Sequence, residues 1–180
     1  METKGNSPCY LYVNLFYMIG TSLRLPLSQK PTLANSIHYL AHTFSFLATG
    51  KDTDNDYTLI HCFFRKGHTP PPHYHTYEDE SFYLLDGVIE FQAGDKKFTA
   101  GAGELIVLPK MIPHSFNLVT ETAKALLLIT PAGLEILFKD FGVPAQTLDL
   151  PPIPGKLPKE FFQKLHKRSE ELGSMWMPEV

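Results

Sequence analysis

The sequence predicts an all-β domain, a sandwich or barrel of short strands, with one C-terminal helix. Three observations point there. Nine short runs rich in β-branched and aromatic residues follow one another at 43–49, 57–65, 73–77, 80–86, 88–92, 96–99, 105–108, 114–119 and 124–130. Turn signals separate them: the polar stretch 51–56, Pro70-Pro71-Pro72, Asp86-Gly87, Ala93-Gly94-Asp95 and Gly101-Ala102-Gly103. The 15 prolines and 12 glycines, set against 13 phenylalanines and eight tyrosines, suit many short strands and tight connections.

From the N-terminus, residues 1–36 read as an extension. Residues 9–20, CYLYVNLFYMIG, are apolar and aromatic. The run is too short to span a bilayer as a helix. As a signal peptide it is poor, because Glu2 offsets Lys4, Asn14 interrupts it and no small-residue cleavage site follows. A strand, a docked tail or an extension with no structural role are its readings. Residues 21–36, with Pro26 and Pro31, are a lead-in. Residues 37–132 hold the barrel, and 133–180 a tail. In that tail Leu134–Phe141 suits one or two helical turns, and residues 144–158 carry five prolines and read as an extended connection. A helix follows near 158–172. Pro158 fits its first turn, Gly173 fits the position past its end, and Phe161, Leu165 and Leu172 share one face.

Charge narrows the function. The formal net charge is −3 with no basic block, which argues against nucleic-acid binding. No span suits a membrane. The two cysteines, Cys9 and Cys62, form neither a disulfide framework nor a zinc signature. Cys62 sits in an apolar run as a small buried hydrophobe. A reducing, cytoplasmic setting is expected.

The chemistry concentrates in residues 67–87, GHTPPPHYHTYEDESFYLLDG. His73 and His75 are two apart, so on a strand both imidazoles leave the same face. Glu80 shares a face with Phe82 and Leu84, which turns its carboxylate towards the core. A buried carboxylate without a partner is costly, and a metal ion satisfies it together with the imidazoles. Glu78 and Asp79 are expected on a turn in water. Later, in GELIVLPKMIPHSFN, His114 follows a turn and shares a face with Phe116. The candidate metal ligands are therefore His73, His75, Glu80 and His114. Phe82 and Phe116 are expected to line a pocket above them. Structural or exposed roles suffice for His38, His42, His61, His68 and His166.

Gly67, His73, His75, Glu80 and Gly87 are spaced G-x5-H-x-H-x4-E-x6-G, which resembles the first motif of the cupin superfamily. Gly103, Pro109 and His114 resemble its second motif. Met111 stands where that motif usually has a turn glycine, and Asn117 falls one residue early. The longer segment from Phe46 to Gly87, and the tail from Ser169 to Glu179, resemble single-domain cupins of the quercetin 2,3-dioxygenase-like group.

The resemblance implies a double-stranded β-helix, the jelly-roll cupin barrel. It implies one divalent metal ion, and nitrogen and oxygen ligands without thiolate suit Fe, Mn, Ni, Cu or Zn. It implies oxygenative cleavage of a flavonol-like or other enol or phenolic substrate by O2. In that reading Glu80 is both ligand and catalytic base. The rivals are an isomerase or decarboxylase on the same barrel, and a small-molecule-binding cupin without catalysis. An enzyme of the first kind wants Arg or Lys near the metal. Lys110 is the only basic residue nearby, which favours an apolar or phenolic substrate. A homodimer is expected from the resemblance, with residues 9–19 as a segment that could pair with the partner.

Overall fold

The computed structural model describes residues 26–177. The aromatic segment 9–20, with Cys9 and the pairing role expected of residues 9–19, lies outside the described residues.

Among the described residues the strands form two antiparallel sheets. Seven strands make the larger one: β1 (Ser36–Tyr39), β2 (His42–Ala48), β3 (Thr58–Arg65), β5 (Asp79–Asp86), β8 (Leu105–Leu108), β10 (Thr122–Thr130) and β11 (Val143–Pro144), in the order β11-β1-β2-β3-β10-β5-β8. Five make the smaller: β4 (His73–His75), β6 (Val88–Ala93), β7 (Lys96–Gly101), β9 (His114–Leu118) and β12 (Ser174–Trp176), in the order β12-β4-β9-β6-β7. The sheets form a jelly-roll, the all-β architecture expected. Strand alternation builds its core. In β3, Thr58, Ile60, Cys62 and Phe64 are buried while the residues between them are half-buried. Phe82, Phe91, Leu84, Ile89, Leu108 and Ile129 meet Ile60 and Cys62 in the same cluster.

The first strand escapes the sequence pattern because its buried face is polar. Ser36 and His38 point inward, while Ile37 and Tyr39 are half-buried. Burial is tolerable because every polar atom is paired. The Ser36 hydroxyl reaches Thr32 O at 2.6 Å. His38 Nδ1–H donates to Thr43 Oγ1 at 3.1 Å, and His38 Nε2 accepts from the Gln146 amide at 3.2 Å. That arrangement needs a neutral ring, and burial lowers the His38 pKa accordingly.

The proline-rich stretch runs across the larger sheet and is pinned to it. Ala145 N–H donates to Ser36 O, Thr43 Oγ1 donates to Asp149 O at 2.7 Å, and an Arg65 guanidinium nitrogen donates to Pro151 O at 2.9 Å. Two helices frame it: α2 (Glu135–Phe141) before and α3 (Lys159–Glu171) after, with a one-turn α1 (Gly50–Thr53) earlier in the chain. Pro158 takes the cap position of α3. Gly173 adopts φ +80°, the left-handed exit that glycine permits. Leu165 and Ser169 are the buried face of α3. Beyond Gly173 the chain returns as β12. Among the described residues no helix is long and apolar enough to cross a membrane.

Candidate metal centre

Both sheets contribute to one site. His73 and His75 lie on β4, which follows the extended Pro70-Pro71-Pro72 tract, and His114 opens β9 directly opposite His73. Glu80 comes from β5 of the other sheet. All four side chains are buried. One ligand atom from each lies within 4.8 Å of all the others. Three imidazoles and one carboxylate that close together could hold one divalent ion.

The hydrogen bonds orient the rings for that purpose. His73 Nδ1 bonds Pro71 O at 2.9 Å and His114 Nδ1 bonds Ile112 O at 3.0 Å. A ring with Nδ1–H committed to a carbonyl presents a bare Nε2 lone pair. His75 Nε2 and His114 Nε2 lie 3.4 and 3.5 Å from Glu80 Oε2. Neither nitrogen has a hydrogen-bond partner, and both are buried. Buried unsatisfied nitrogens facing a carboxylate are the donor set a divalent ion would complete.

The electrostatics agree. Burial, aided by the neighbouring imidazoles, pushes His73 down to about 4 against the pull of Glu80, so its ring is neutral at pH 7. Burial also opposes charge on His75, yet the Glu80 carboxylate holds its pKa above the ordinary value. Burial alone would raise Glu80, but His75 and His114 hold its carboxyl far below the usual range. Without an ion, the Glu80 carboxylate therefore favours a proton on His75. Metal binding must expel that proton. Affinity is expected to rise about tenfold per pH unit below the His75 pKa and to level off above it. Competition titrations with a chelator across about pH 5.5–8.5 measure the slope; a flat profile would contradict the proton count.

The turn before His114 is tied to the site. The Met111 amide donates to His75 O at 2.8 Å, and the Lys110 amide donates to Asp79 Oδ1 at 2.8 Å. Met111 adopts φ +63°. The turn thus keeps the left-handed backbone that a glycine would favour, at the expense of methionine strain. Met111→Gly should stabilise the protein slightly, by about 0–1 kcal/mol, since relieved strain is partly offset by unfolded-chain entropy. Thermal melts of the two proteins compare directly.

Glu78 departs from expectation. It is buried, not in water. Chain from the tail roofs its segment: Thr76 N–H donates to Gly173 O at 2.7 Å, Gly173 packs on the Tyr77 ring, and Gly133 lies beside the Glu78 carboxylate. Burial raises the Glu78 pKa. Asp79 is half-buried and accepts the Lys110 amide.

Above the four side chains opens a cavity of about 410 Å³. Phe82 and Phe116 line it, as the alternation predicts. His42 lines it too, with both nitrogens engaged: Arg65 N–H donates to Nδ1, and Nε2–H donates to His68 O. The remaining walls were not legible as a pocket in the sequence. They come from β1 and β2 (Tyr39, Phe44), from α2 (Leu137, Phe138) and from the C-terminal segment (Leu157, Leu165, Ser174, Trp176). Among the described residues no Lys or Arg lines the cavity.

A family model described as a cupin domain matches residues 61–130. Residues 61–130 are a cupin domain. This cupin domain carries His73, His75, Glu80 and His114 together. A curated relative, quercetin 2,3-dioxygenase of Bacillus subtilis (strain 168), is 26% identical over 98 residues, 54% of this chain. The match spans only 29% of that protein's length. Among solved structures, an RmlC-like cupin from Shewanella frigidimarina NCIMB 400 superposes with TM-score 0.52 at 14% identity, over 63% of this chain and 99% of that one. A cupin 2 conserved barrel domain protein from Leptotrichia buccalis is 28% identical, with TM-score 0.43, over 49% of this chain and 40% of that one. The cavity walls from β1, α2 and β12 lie outside the residues that the cupin model matches.

Proposed function

We propose that this cupin is a metal-dependent dioxygenase of the quercetinase type, acting on a flavonol-like or other enol or phenolic substrate. The observation that carries the reading is the cavity. It opens on His73, His75 and Glu80 of the four-residue group, it is walled largely by rings and aliphatic side chains, and among the described residues no Lys or Arg lines it to pair with an acidic substrate. The similarity to a quercetin 2,3-dioxygenase supports the same reaction class.

His73, His75, Glu80 and His114 would hold one ion, which supplies Lewis-acid and redox chemistry at an open coordination position. The chain's own residues do the rest. Phe44, Phe64, Phe82 and Phe116 form a continuous ring wall, with Phe44–Phe64 centroids 5.8 Å apart and Phe64–Phe116 5.5 Å apart. Such a wall binds a planar apolar substrate and excludes water. Glu80 is ionised at neutral pH, held so by His75 and His114 against its burial. One of its carboxylate oxygens can accept a hydrogen bond from a substrate hydroxyl that enters the group, and it would act as the base for a hydroxyl made acidic by the bound ion. An ionised enol is electron-rich and is the form that O2 attacks. Both oxygen atoms enter the product, so no separate reductant is consumed.

An isomerase or decarboxylase of small acids is less well served, because among the described residues a buried carboxylate substrate would face no Lys or Arg in this cavity. The test pairs metal analysis of protein purified without chelator with O2 uptake on a panel of flavonols and other enols. Metal-dependent uptake on a flavonol is the expected result. Bound metal with no uptake across the panel would remove the dioxygenase reading and leave the barrel intact.

A further inference from the structure

The C-terminal strand brings a residue to the site that the metal-ligand pattern does not include. β12 pairs antiparallel with β4, so Ser174 lies opposite His75 and Trp176 opposite His73. Directly opposed residues in such a pair project from the same face, with Cβ atoms about 5 Å apart. The two histidines project into the cavity, and Ser174 and Trp176 line it beside them.

Ser174 is 3% exposed. Polar side chains in so buried a wall ordinarily find a partner. Its buried neighbour Ser169 does, donating to Leu165 O at 2.9 Å. Among the described residues, no protein group hydrogen-bonds the Ser174 hydroxyl. The Tyr39 hydroxyl also lacks a partner, but Tyr39 stands on β1, four strands away from the Glu80 strand in its sheet. Ser174 therefore offers an uncommitted hydrogen bond next to a metal-ligand position.

We propose that Ser174 donates this hydrogen bond to an oxygen of the ligand bound at the His73–His75–Glu80–His114 group. The C-terminal strand thereby selects ligands that carry two neighbouring oxygens, such as a hydroxyl beside a carbonyl. One oxygen occupies the group and its neighbour accepts from Ser174. The inference rests on the reading that the four side chains hold a metal, but not on the oxygenase reaction.

Two small probes separate the roles. Acetohydroxamate carries two neighbouring oxygens; imidazole brings a single nitrogen donor and no adjacent oxygen. Full-length wild type, Ser174→Ala and Ser174→Thr are loaded with cobalt(II) and titrated with each probe, following the cobalt absorption bands. The Ala variant is expected to bind acetohydroxamate about tenfold more weakly, the size of one hydrogen bond to a polar ligand, with imidazole binding unchanged. The Thr variant, which keeps the hydroxyl, should recover most of that affinity. Removing a hydroxyl that no described group hydrogen-bonds should leave the melting temperature nearly unchanged. Equal weakening of both probes, no weakening of either, or no probe binding to cobalt-loaded wild type overturns the proposal. Failure of wild type to take up cobalt overturns the metal reading and this inference together, whereas cobalt uptake without discrimination between the probes overturns this inference alone.

Discussion

Glu80→Gln will cut the affinity for a divalent cation by about two to three orders of magnitude while leaving the apo fold nearly as stable. A buried four-ligand zinc site in a small domain is worth about 10–16 kcal/mol, so one ligand of four carries about 3–4 kcal/mol, or about 200- to 1000-fold. Glutamine keeps the volume of the side chain, so packing beside Phe82 and Leu84 survives. What changes is the charge. The single anion among three histidines disappears, and with it the field that keeps His75 inclined to hold a proton. Burial then governs His75 and favours its neutral form. The variant should therefore bind metal weakly and also lose the pH slope expected of wild type. Chelator competition measures the first effect, and repeating it at several pH values measures the second. An affinity within threefold of wild type would remove Glu80 from the ligand set.

Gly87→Ala should be the most destabilising single methyl that can be added to the turns, at about 3–4 kcal/mol. Gly87 joins β5 to β6 with φ +81°. A left-handed alanine alone costs about 1–2 kcal/mol. Here the added carbon would also stand 2.5 Å from Thr122 O and 2.8 Å from Ala123 Cα. Both are backbone atoms of β10, hydrogen-bonded between β3 and β5, so they cannot retreat without disturbing the larger sheet. A loss of this size is a large part of the 5–15 kcal/mol that stabilises an ordinary domain. Gly67→Ala is the control. Gly67 has φ +79° but nothing within 4 Å of the added carbon, so only the backbone term of about 1–2 kcal/mol applies. Urea unfolding of the two variants compares them. Equal losses would show that the close approach at Gly87 carries no cost.

The sequence speaks clearly where one chemical pattern dominates. His73 and His75 are two residues apart, so their shared face follows from spacing once the segment is extended, and the structure brings them to His114 and Glu80. The β3 and β10 runs are equally plain. The pattern fails where burial and polarity part company. β1 hides Ser36 and His38 behind hydrogen bonds to Thr43 and Gln146, partners that no local window contains. β12 is three residues long, too short for periodicity, and Ser174 acquires meaning only once it lies opposite His75. Glu78 looked like a turn residue because the chain that covers it, near Gly133 and Gly173, lies more than 50 residues further on.

The cavity described above is divided in an unusual way along the chain. All four candidate ligands fall within residues 61–130, while Tyr39, Phe44, Leu137, Phe138, Leu165, Ser174 and Trp176 fall outside that segment. The ring wall of Phe64, Phe82 and Phe116 stays with the candidate ligands, while the far walls are written elsewhere in the gene. Exchanging the stretch after residue 130 between relatives should therefore retune which compounds are accepted while the four candidate ligands stay in place.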